Sequence, residues 1–298
     1  MPISPEKAAH VMGLQRRPDV VRGTTERADD SPRLQAEMIA GGGLGRLYHN
    51  LFFDAVATLP TSATIVLVGT SNFAVAEKAA ARLAAAAAGV IVDRVIAIDL
   101  SPHPDVPTMA NSIYAELQAA WTGDQDRTDV LHSVLHITDN QQYTLTQLEQ
   151  KIAAHEDPGE DIVLTADASD ARTAQLIASL TSSTAGLLVI GRNISPQQPG
   201  DKKYEGLFEH VGRLVAERNA QQIPSGFVFT APYHGGFGDM LIANAEAALQ
   251  TLHGQGVREE DLTIRAPSGI ILGAQVSPQL VGDHQWDRRF YAVGAKKP

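Results

Sequence analysis

Five short apolar runs, each separated from the next by a helical stretch, constrain this chain more than any other feature. They are "TIVLVG" (64–69), "RVIAIDL" (94–100), "SVLHIT" (133–138), "DIVLTAD" (161–167) and "GLLVIG" (186–191). Helical spacing fills the intervals at 73–88, 107–121, 144–155 and 170–181. A strand that is apolar along its whole length is buried on both faces, and strands that alternate with helices are joined by crossovers. The pattern predicts an α/β fold, a doubly wound and mostly parallel sheet with helices on both sides.

Flanking segments extend this core. The first 60 residues read as a helical N-terminal cap, and residues 61–298 as the main domain. Within the cap, "GGGLG" (41–45) reads as a hinge, and "RLYHNLFFDAVATLP" places Leu47, Leu51, Ala55 and Leu59 on one helix face before Pro60 ends it. Beyond residue 200 the sequence predicts a helix over 204–220, a strand or loop over 225–233, a helix over 240–256, and strands over 261–267 and 288–297.

Charge and composition then narrow the function. The chain carries a formal net charge of −10, with its Lys and Arg scattered, which argues against nucleic acid because phosphate binding needs a basic footprint. It has no cysteine, so disulfides, thiolate catalysis and Cys-held metal clusters are excluded. Ten scattered histidines without an H-E-x-x-H motif give no reason to expect a metal. His132 and His136 share one face of the predicted third strand, as core or edge residues. The N-terminus lacks an apolar signal core, and Glu77, Lys78 and Arg82 interrupt the greasiest run, so no membrane span is expected. A soluble cytoplasmic protein is the expectation, and a homodimer is compatible with it.

Attention falls on "VLVGTSNF" (66–73), where the first strand turns into the first helix of the core. In a doubly wound fold this turn borders the ligand crevice. The positions that G-x-G-x-x-G would fill with glycine hold Gly69, Ser71 and Ala74. Side chains there obstruct a pyrophosphate, so a nucleoside with a short charged tail fits better than a dinucleotide. Asp99, at the tip of the second strand, suits ribose hydroxyls, although it also suits a helix cap. Asp139 and Asn140, at the end of the predicted third strand, would lie near a base edge, or serve as ordinary turn formers.

The layout resembles the class I S-adenosylmethionine (SAM)-dependent methyltransferases. The resemblance rests on "VLVGTSN", "VIAID", "HITDN", "DIVLTAD" and "GLLVIGRN" as successive strand ends. The tail adds to it, with a helix "AEAALQTLHGQGV", then "LTIRAP", then "RFYAVGAKKP". It implies a seven-stranded sheet whose last strand is inserted antiparallel, a Rossmann-like domain, and SAM as cosubstrate or substrate. Carried across, Gly69, Thr70, Ser71 and Asn72 would border the methionine portion, and Asp99 with Leu100 the ribose. Asp139 with Asn140 would meet the adenine, while Asp167 would face the sulfonium.

Methyl transfer to a small molecule is the activity the resemblance implies. His234, in "APYHGGFGD", is a candidate general base. Tyr48, His49, Asn50, Asp170, Arg192, Asn193 and Tyr233 are candidates for the substrate wall. A second SAM chemistry stays open: attack on the aminobutyrate carbon, with release of methylthioadenosine. The nucleophile would be an acceptor or SAM's own amine, the latter giving azetidine-2-carboxylate. Tyr48, Asn140, Tyr143 and Asp167 would be the groups that bend the tail and take the proton. A non-catalytic SAM-binding protein is the rival from outside the enzymes. An oxidoreductase lacks its glycines and a Tyr-x-x-x-Lys pair, and a hydrolase lacks the second glycine of G-x-S-x-G around Ser71.

Overall fold

The computed structural model describes residues 3–11, 32–39, 56, 59–70, 73–100, 105–191, 205–232, 262–265 and 289–294. Its strands are β1 (Ser62–Val68), β2 (Ile91–Asp99), β3 (Asn140–Thr144), β4 (Asp161–Thr165), β5 (Leu187–Gly191), β6 (Ser225–Pro232), β7 (Leu262–Arg265) and β8 (Arg289–Gly294). They form one sheet in the order β3-β4-β2-β1-β5-β6-β8-β7. The stretch from β3 to β6 is six strands, all parallel. The final strand β8 pairs antiparallel with both β6 and β7, so it is inserted against the run of the sheet.

Winding direction decides which face each helix covers. From β1 the chain moves outward through α3 (Ala74–Ala87) to β2, then through α4 (Val106–Ala120) and α5 (Gln125–Ser133) to the edge strand β3. It then reverses, through α6 (Leu145–Ala153) to β4, α7 (Ala171–Leu180) to β5, and α8 (Glu205–Ala220) to β6. Right-handed crossovers put connections that travel in opposite directions on opposite faces. The cores divide accordingly. Ala63, Ile65 and Leu67 of β1 pack with α3, α4 and α5, while Val66 and Val68 pack with α6, α7 and α8.

The seven-strand expectation needs correction: the sheet has eight strands, six of them in its parallel part, because the segment expected as a strand or loop over 225–233 is the interior strand β6, and the third strand is displaced. "SVLHIT" is not a strand. Asp124 caps α5, which runs to Ser133, and a 3-10 turn follows at Ile137–Asp139. His136 between them stands at φ 47°, a left-handed conformation that reverses the chain. The apolar residues of this stretch, Leu135 and Ile137, are buried from a turn and not from a ladder. The strand itself is the polar "NQQYT", closed by Thr144, which begins α6 through a reciprocal capping box with Gln147. His132 and His136 therefore share no strand face: His132 meets the Tyr114 hydroxyl, and His136 lies near Asp139 and Glu160.

At the N-terminus, α1 (Pro5–Val11) packs on α3 and α5, and α2 (Pro32–Ile39) on α3 and α4. Lys7 ties α1 to α5 through Asp126 at 2.9 Å and Asp129 at 2.6 Å. The consequence for α3 is unusual. Every residue from Ala74 to Ala85 is buried, because the sheet lies on one side and α1 and α2 on the other. A helix buried all round needs small or apolar side chains, which explains the alanine run. Among the described residues no helix is long and apolar enough to cross a membrane.

Candidate functional site

Gly69 ends β1 with φ 77°, a conformation that strains any residue bearing a Cβ. Its N–H still donates to the Ile98 carbonyl at 2.9 Å, so the turn stays fastened to β2. The Thr70 carbonyl then accepts from the Phe73 N–H at 3.0 Å, and α3 starts one residue later. Phe73 offers no side-chain acceptor to the helix, whose first turn carries the positive end of the dipole. Thr70 is buried, and its hydroxyl has no hydrogen-bond partner among the described residues. A buried donor and a helix start that the Phe73 side chain does not cap thus converge on the turn.

Two further strand ends reach the same edge. Asp99 ends β2 in register with Thr165 of β4, and its carbonyl accepts from the Ala166 N–H at 2.9 Å. Leu100, the next residue, is exposed. Past β4, the exposed Asp167 accepts the Ser169 N–H on Oδ1 at 2.8 Å, and Asp170 caps α7 through the Arg172 N–H at 2.8 Å. Between β2 and α4, Asp105 caps α4 at φ 104°, and its hydrogen bonds from Thr108 hold the carboxyl below the usual range. The sequence reading missed Asp105, although aspartate followed closely by Pro107 is a helix-start signal.

This edge is also where the winding reverses, between β1 and β5, the place at which α/β sheets open a ligand crevice. Gly191 of β5 sits beside Val68 in register there. Asp167 does not. It lies two strands out from β1, beyond β2, and not beside the turn at Gly69.

Asp139 and Asn140 are corrected more strongly. Asn140 opens β3 opposite Asp161, the first residue of β4, which puts both at the end of the sheet away from the crevice. Asn140 is buried, accepts from the Lys78 ammonium and donates to the Ile137 carbonyl. Tyr143 is directed to the same far end, its hydroxyl donating to the Pro158 carbonyl at 3.1 Å in the loop before β4. Both are occupied in holding β3. Tyr48, Ser71, Asn72 and His234, with His49, Asn50, Arg192, Asn193, Tyr233, the glycine run at 41–45 and the helix at 240–256, lie outside the described residues.

Under α3 is a buried polar cluster that the sequence showed only as interruptions of an apolar run. Arg82 donates to both Asp161 carboxylate oxygens at 3.0 and 3.2 Å, and to the Val92 carbonyl at 2.8 Å. Lys78, one turn earlier, is fully buried. Burial pushes its ammonium down to about 8; the Asp161 carboxylate opposes the shift and the Arg82 charge adds to it. No group of three His, Asp or Glu among the described residues is placed to hold a metal ion.

No protein-family model matches the sequence, and neither does any curated protein. Among solved structures the chain is similar to the rRNA methyltransferase aviRa from Streptomyces viridochromogenes, with 13% identity over 94% of this chain and 97% of that one. The TM-score is 0.36, too low to establish a shared fold.

Proposed function

We propose that this chain is a SAM-dependent methyltransferase acting on a small molecule. The observation that carries the reading is the sheet: a parallel crevice at β1 whose last strand, β8, is inserted antiparallel between β6 and β7. Both are what the resemblance to class I methyltransferases implies. The ligand's methionine tail would meet Gly69 to Asn72 and the start of α3, where N–H groups favour its carboxylate. Asp99 would hold the ribose.

The next strand outward is β4, so the base would meet Asp167 in place of Asp139 and Asn140. Its carboxylate keeps one oxygen beyond the Ser169 bond, a suitable acceptor for an exocyclic amine. The reacting methyl would sit over β1 and β5. Carboxylates at Asp99, Asp105 and Asp167 make the edge attractive to a ligand bearing a sulfonium and an ammonium. The net charge of −10 favours a small acceptor over a nucleic acid. Attack on the aminobutyrate carbon is less well served, because Asn140 and Tyr143 are engaged at the far end.

The test is direct. Titration calorimetry with SAM and with S-adenosylhomocysteine should show binding of both. Mass spectrometry after incubation with SAM and a panel of small nucleophiles should show S-adenosylhomocysteine forming with one of them. Methylthioadenosine as the product would replace methyl transfer by cleavage of the tail. Binding without turnover across the panel would favour a SAM-binding protein, and absence of binding would overturn the reading.

A further inference from the structure

The β4–α7 turn carries Asp167, and the first turn of α8 is pressed against it. A Cβ added to Gly206 would lie 2.8 Å from the Ser169 carbonyl oxygen and 3.3 Å from the Ser169 Cβ. The first atom is backbone, so alanine at 206 fits only if α8 or the turn shifts. Glycine is among the poorest helix formers, and its place inside α8 makes sense as a requirement for this close approach. Ser169 is the residue whose N–H holds Asp167 Oδ1 at 2.8 Å, while the Asp170 N–H holds the Asp167 carbonyl at 3.0 Å. One residue thus receives α8 on its carbonyl side and orients the carboxylate through its amide.

We propose that Gly206 is a positioning residue for the Asp167 carboxylate, and through it sets the preference of the crevice for a base that presents an exocyclic amine. The inference rests on the nucleoside reading above. It gives α8, which follows β5 on the reacting side, a mechanical connection to the base side of the same ligand.

Two ligands separate orientation from general damage: S-adenosylhomocysteine, and S-inosylhomocysteine, in which a carbonyl replaces the amine. Wild type should prefer the first. Gly206→Ala should lower affinity for it by roughly tenfold, the scale of one charged hydrogen bond, and leave the inosyl compound nearly unchanged. In an Asp167→Asn background the same substitution should have no further effect on the preference. Equal loss for both ligands, or a full effect that persists in Asp167→Asn, would overturn the proposal.

If Gly206→Ala fails to fold, Ser169→Gly removes the Ser169 Cβ that faces Gly206 without adding bulk, and should reduce the same preference. An unchanged preference there counts against the proposal. Hydrogen exchange needs no ligand: the Ser169 amide, protected by Asp167 in wild type, should exchange faster in either variant. Unchanged exchange would overturn the positioning contact itself. Failure of wild type to bind either nucleoside would instead overturn the functional reading, and the base preference with it.

Discussion

The two ends of the sheet are built from opposite principles. At the end away from the crevice, the described arginines are buried or half-buried and hydrogen-bonded. Arg82 spends its guanidinium on Asp161 and two backbone carbonyls, and Arg218 spends its own on Ser225 Oγ and the Thr181 and Thr184 carbonyls. Arg94 reaches the Gly159 and Leu180 carbonyls and Asp157. Each arginine fastens two or more chain segments where strands begin. At the crevice end, among the described residues, an acid and a hydroxyl have capacity left over: one carboxylate oxygen of Asp167, and Thr70. Stability is concentrated at one end, and the capacity to bind is left at the other.

The comparison breaks most visibly at Arg82. Arg82→Ala leaves Asp161 charged and buried, and should cost roughly 3–5 kcal/mol in urea unfolding. Ligand affinity of the molecules that remain folded should not change. An affinity loss comparable to the stability loss would mean that the two ends are not separable.

Lys78 gives the next effect, and its sign is set by burial. Its folded value of about 8 lies below its ordinary 10.5, so between those values the unfolded chain holds more protons. Stability should therefore rise with pH across that window, by on the order of 2–3 kcal/mol. Lys78→Met should remove this rise, which denaturant curves at several pH values would show. A wild-type slope retained in the variant would place the titrating group elsewhere.

At the crevice end the expected effects move from stability to affinity. Asp99→Ala should weaken S-adenosylhomocysteine binding by roughly 1–3 kcal/mol, read by calorimetry. Unchanged affinity would remove Asp99 from the site. The smallest effect is expected at Thr70. Valine keeps its shape and removes a buried hydroxyl that is without a partner among the described residues, so the free protein should become slightly more stable. Affinity should fall by about 1 kcal/mol in the same variant. A stability loss at Thr70→Val would show that the hydroxyl already has a structural partner.

What the sequence disclosed follows the same division. Strands β1, β2, β4 and β5 announce themselves because they are buried on both faces, and an unbroken apolar run has few other uses. β3 stayed hidden because an edge strand need not be apolar. "NQQYT" is held by Asn140 on Lys78 and by the Thr144 cap, which are tertiary and local hydrogen bonds that no periodicity records. The misplaced strand then put Asp139 and Asn140 at a strand end, whereas Asn140 stands at a strand start, away from the crevice. Lys78 and Arg82 were visible as charges in an alanine-rich helix. That they point inward follows only from α1 and α2 covering the other side.

The enclosure of α3 also bears on the order in which the chain can assemble during synthesis. Residues 5–11 leave the ribosome before the elements they touch: their contacts lie on α3 and α5, and Lys7 must wait for Asp129, 122 residues later. Until α3 is made α1 has neither of these partners, and its ion pairs to α5 wait longer still. Contacts so distant along the chain close late, so the nascent protein carries an uncovered alanine-rich helix for much of its translation. The segment 5–11 acts as a closing piece, made before its partners and fitted after them.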